Sequence, residues 1–114
     1  MTDALGELVL LEENELFGML GKATGPKDFG LHDMQAYVRL GRAWFQQNAR
    51  QLRERICSNE GVRVFVEGGD EYNALMEAAT VAQAVAGMLD EKTIPVFAVL
   101  VTKLGLRAYC SSQE

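Results

Sequence analysis

Residues 93–110 read TIPVFAVLVTKLGLRAYC, and whether Ile94–Val101 is helix or strand decides the fold. Those eight residues carry no charge and no hydrogen-bonding side chain. An apolar run of that length fits a buried helix or a buried strand, and periodicity within it cannot choose. The residues beyond Val101 can. As a helix, Phe97, Leu100, Val101, Leu104 and Ala108 share one stripe, while Lys103 and Arg107 lie together on another face, near the end where cations oppose the helix dipole. Pro95 belongs in a first turn, where its missing N–H is not needed. As a strand, Ile94, Val96, Val99, Val101 and Thr102 supply the β-branched content, but KLGLRAYC carries no alternation. The helical reading over 93–110 is therefore preferred.

The segment before it has the same character. Leu75, Ala78, Ala79, Ala82, Val85, Ala86 and Leu89 make a buried face for a helix from Asp70, a good N-cap, to Leu89. Ala74, Ala78, Ala82 and Ala86 recur every four residues and allow a close neighbour. Val62–Glu67 alternates as a strand would, yet one strand is not stable alone. Its sole candidate partner is 94–102, and the alternative architecture is accordingly α+β with parallel strands 62–67 and 94–102. The preferred reading leaves 62–67 as a short helical or irregular bridge.

The most regular helical pattern runs from about Leu31 to Cys57. Met34, Val38, Gly41, Phe45, Leu52 and Ile56 keep the period, flanked by Tyr37 and Trp44. Gly41 inside such a helix points to close approach of a neighbour. Residues 3–23 form the first helix, with a kink or break where Glu12, Glu13 and Glu15 interrupt the stripe and Asn14 could cap a second piece. Gly25-Pro26 stops it. The expected architecture is all-α, a single domain over residues 1–114 with four main helices.

Composition bounds the function. Hydrophobic residues make up 48% and charged residues 24%, ordinary for a globular domain. The N-terminal stretch lacks the basic region of a signal peptide, and no apolar run reaches membrane-spanning length. Cys57 and Cys110 then read as buried free thiols in a reducing compartment, with a disulfide the minority reading, and the expected localisation is cytoplasmic. The net charge of −5 is uneven. Residues 26–59 hold six bases against three acids, between a first segment with five acids and one base and a third, residues 60–92, with seven acids and two bases.

Catalytic and ligand motifs do not stand out. His32 is the single histidine, neither cysteine is spaced with other metal ligands, and no metal or cofactor is expected. Glu67-Gly68-Gly69-Asp70-Glu71 has the glycines of a phosphate loop but surrounds them with three acids, which would repel phosphate. The chain reads as non-enzymatic. One constellation remains: Arg39, Arg42, Arg50 and Arg53, with Gln46 between them, fall within about 80° of arc on the helix that ends at Cys57. Such a row can grip carboxylates or phosphates. The plainer readings are a solvated face or pairing with the acidic segments. Among partners, an acidic protein surface or a second copy fits better than nucleic acid, because a chain of pI 4.9 repels a polyanion elsewhere. The arginine heads are expected to face solvent over covered stems. Trp44, at the margin of the buried stripe, is a second interface candidate, with plain packing the alternative.

The tracts Gly41-Arg42-Ala43-Trp44-Phe45, Arg55-Ile56-Cys57 and Leu104-Gly105-Leu106-Arg107-Ala108-Tyr109-Cys110 resemble small helical accessory domains of bacterial conflict and defence systems. The resemblance implies a module that recruits or regulates a separate effector, and it assigns no functional residue. Two other functions stay open: a small-ligand or effector-sensing domain with an apolar pocket, and a membrane-active protein that exposes 94–101. Membrane association is the less expected of the two.

Overall fold

The computed structural model describes residues 2–25, 34–68 and 74–111. Within them the chain forms seven helices and no strand: α1 Thr2–Val9, α2 Glu13–Thr24, α3 Met34–Cys57, α4 Glu60–Gly68, α5 Ala74–Ala84, α6 Thr93–Leu104 and α7 Leu106–Ser111. The fold is all-α, and the α+β alternative is excluded at both of its strands. The expected helix start at Leu31, His32 and the Asp70 cap lie outside the described residues.

Helix α6 is the centre. Val96 through Val101 are all buried, at every angle around the axis. A helix apolar on all sides must be enclosed on all sides, and α1, α2, α5 and α7 surround this one. That enclosure explains why its sequence shows no polar stripe. The stripe expected to continue through Leu104 and Ala108 does not, since both are exposed. The reason is Gly105, whose φ of 102° stops α6 while its N–H bonds the carbonyls of Val101 and Thr102. Only glycine adopts such a conformation freely. The chain then restarts as α7, so 93–110 is two helices rather than one.

Three other elements depart from expectation for local reasons. The break between α1 and α2 falls at residues 10–12, not at Asn14, because Glu12 caps α2 and its N–H donates to the Glu15 carboxylate. Residues 60–68 are helical: the Asn59 side chain accepts the Val62 N–H at 3.1 Å and caps α4. Val62, Phe65 and Val66 then turn inward at helical spacing while Val64 is 68% exposed. Helix α5 ends at Ala84, short of Leu89, and Gly87 at φ 86° turns the chain toward α6.

Helices α2 and α3 form an antiparallel hairpin with nearly touching backbones. A Cβ on Gly41 would collide with the Phe17 carbonyl, and one on Gly21 with the Tyr37 carbonyl. The close neighbour expected for Gly41 is thus α2. The hairpin carries Phe17 and Phe45, edge to face at 5.7 Å, onto Phe97 of α6, which lies 5.3 Å from Phe45. Met34, expected in the apolar stripe, is 49% exposed at the hairpin's side, and Met19 of α2 is 38% exposed.

The cysteines are not free thiols. Cys57 at the end of α3 and Cys110 in α7 are joined by a disulfide, with Cα atoms 5.7 Å apart. Both stand near helix ends, as the sequence predicts; the break at Gly105 is what folds α7 back so that the two ends meet. With the thiols paired, the cysteines no longer point to a reducing compartment.

Candidate arginine face of helix α3

Helix α3 has 24 residues and is about 36 Å long at 1.5 Å per residue, in a molecule 44 Å in its longest dimension. It buries Gly41, Phe45, Ala49, Leu52 and Ile56. Arg39, Gln46 and Arg50, farther around the helix, are exposed. Arg42 and Arg53 sit nearer the buried stripe, and their heads are not simply solvated.

Arg42 is held from both sides. Its Nη2 donates to Asn14 Oδ1 at 2.7 Å, and its Cζ lies 4.4 Å from the centre of the Phe17 ring. Both partners come from α2, so the glycine-spaced hairpin is what brings them within reach. The acceptor is the neutral amide of Asn14, although Glu12 and Glu13 line the same shallow depression of about 550 Å³, together with Lys103. Arg53 is half-buried, with its Cζ 5.5 Å from the Tyr109 ring and its Nε buried without a hydrogen-bond partner. Tyr109 in turn donates its hydroxyl to the Ala49 carbonyl at 2.6 Å. Burial pushes the Tyr109 hydroxyl up to about 12, with the Arg53 charge pulling the other way. The phenol is therefore a neutral donor across the physiological range.

Among the described residues the row thus divides into two exposed guanidinium groups with no ring beneath them, on Arg39 and Arg50, and two stacked on aromatic rings, on Arg42 and Arg53. Arg39, Arg42 and Arg50 are exposed as expected, and Arg53 is the one of the four that is half-buried. Trp44 does not join them. Counted at 100° per residue it lies on the opposite flank of the buried stripe, where it packs edge to face on Phe97 at 6.0 Å. Arg50 and Arg53 also line a second depression, of about 430 Å³, with Glu54, Cys57, Ser58 and Cys110. Both depressions are open and bordered by charged side chains. Sequence reasoning did not reach Asn14, Phe17 or Tyr109 as anchors, because each contact joins residues 25 or more positions apart.

Among the described residues there is no group of three or more His, Cys, Asp or Glu side chains placed to hold a metal ion, and no helix long and apolar enough to cross a membrane. Compared with family models, curated proteins and solved structures, the chain matches none of them.

Proposed function

We propose that the chain is a non-enzymatic protein-binding module that offers the arginine face of α3 to an acidic protein surface, on a separate effector or on a second copy. The observation that carries this reading is the anchoring of Arg42 and Arg53. Each guanidinium is held over an aromatic ring, Arg42 bonds a neutral amide, and the Arg53 Nε has no acceptor. Held groups of this kind lose less freedom when they bind a carboxylate. Exposed Arg39, Gln46 and Arg50 extend the same face. Nucleic acid fits less well against a chain of net charge −5. A membrane-active role would expose 94–101, and Val96–Val101 are the buried centre of the core.

The resemblance to accessory domains of defence systems supports an effector as the partner. Cytoplasmic placement belongs to the same proposal, and there the Cys57–Cys110 bond would meet a reducing thiol pool.

The test reverses the two exposed guanidinium groups together, Arg39→Glu with Arg50→Glu. Exposed positions of this kind change stability by about 0.5 kcal/mol or less each, so melting should be unchanged. Association, followed by sedimentation for self-assembly and by affinity capture at two salt concentrations, should fall at least about tenfold and lose most of its salt dependence. Retention of the same partners by wild type and double variant at both salts would end the proposal.

A further inference from the structure

The depression at the end of α3 holds the disulfide in its wall. Cys57 and Cys110 line it, beside Arg50, Arg53, Glu54 and Ser58, and both cysteines are half-buried rather than enclosed. A purely structural disulfide is better served by burial in apolar surroundings, where no thiolate can approach or leave. Here two guanidinium groups stand against one carboxylate. Arg53 precedes Cys57 by one helical turn on the same side of α3, and its buried Nε has no acceptor.

We propose that this depression is a thiol–disulfide exchange site for an anionic low-molecular-weight thiol, and that exchange removes the covalent tie of α7 to α3 and loosens that helix. The positive surroundings draw an anionic thiol to the bond and favour its thiolate form. Its sulfur attacks Cys110, forming a mixed disulfide. The Cys57–Cys110 bond breaks, and its electron pair stays on Cys57 as a thiolate beside Arg53. Departure of a thiolate is faster when its charge is stabilised. A second small thiolate then attacks the small molecule's sulfur in the mixed disulfide, which releases Cys110 as a thiolate and forms the small symmetric disulfide. Two small thiols are oxidised, the protein bond takes up two electrons, and the protein thiolates take protons from water.

The architecture makes the response local. Helix α7 follows the Gly105 turn, is six residues long, and reaches α3 through the disulfide, the Tyr109–Ala49 hydrogen bond and the Tyr109–Arg53 stack. Once the disulfide opens, the two contacts through Tyr109 remain, and both lie in the same short helix.

The experiment uses the oxidised full chain under native conditions. Glutathione, whose net charge is negative, is compared with cysteamine, which is cationic, at matched thiolate concentration, and opening of the bond is followed by mass spectrometry. Glutathione should open it about tenfold faster at low salt. High salt should erase the advantage, Arg50→Gln should reduce it, and Arg50→Glu should abolish or invert it. Arg50 is exposed, so these variants keep the fold, and the salt series on wild type reads the same effect without any substitution. Backbone hydrogen exchange should then rise in 106–111 and stay low in 96–101. Equal rates for the two thiols at low salt, or opening only in denaturant, would overturn the proposal.

Discussion

Glu77 stands in the first turn of α5 at 3% exposure, one of two polar residues buried among the described ones. Burial raises its carboxyl above the ordinary value of 4.5. The sign of the consequence is opposite to that of a salt-bridged acid. Below about pH 4 both folded and unfolded chains hold the proton and the group is neutral toward stability. As pH rises, the unfolded chain ionises first, and stability falls until the folded carboxyl also ionises; above that point the loss is constant. Glu77→Gln should therefore melt a few degrees higher than wild type at pH 8, with the gap closing toward pH 4. Thermal melts across that range check it, and a gap independent of pH would mean that the amide acts through packing instead. At this scale the arginine row was legible in the sequence, because a helical period places side chains on a face whatever the fold. Which arginines stack on rings was not legible. Arg42 owes its anchor to Asn14 and Phe17, and Arg53 to Tyr109, residues that the period of α3 says nothing about.

Among the elements, the α2–α3 hairpin rests on two glycines whose absence of a side chain is the contact. In an exposed helix, alanine for glycine gains roughly 1 kcal/mol. At Gly41 the new methyl would meet the Phe17 carbonyl, and the two backbones would have to part. Gly41→Ala should thus cost about 1–3 kcal/mol despite the better helix former, whereas Gly6→Ala in α1, where nothing lies within 4 Å, should stabilise. Urea unfolding of the pair gives the comparison, and a stabilised Gly41→Ala would show that the two backbones can part at little cost. Helix against strand was readable for 93–110 from the residues after the apolar run. The ends were less so. Gly105, Asn59 and Glu12 each set a boundary by one backbone conformation or one hydrogen bond, and a hydrophobic period does not register such events. The alternation of Val62, Val64 and Val66 misled for a related reason: Val64 simply faces solvent from a helix.

For the whole molecule the Cys57–Cys110 bond is the longest covalent constraint, joining residues 53 apart. Closing a loop of that size removes unfolded-state entropy worth roughly 4 kcal/mol, a large share of the net stability usual for folded chains of 114 residues. Cys57→Ser with Cys110→Ser should lower the urea midpoint and leave the helical circular dichroism spectrum unchanged at zero denaturant. Unchanged stability would mean that the linked ends are already close in the unfolded chain. The bond also divides the chain mechanically. Tension applied between a point before Cys57 and a point beyond Cys110 passes straight through the two sulfurs, so α4, α5 and α6 carry no load while the bond stands. Breaking it would add a hidden length of roughly 180 Å, at the ~3.4 Å that each extended residue spans, and would place the central apolar helix under force for the first time.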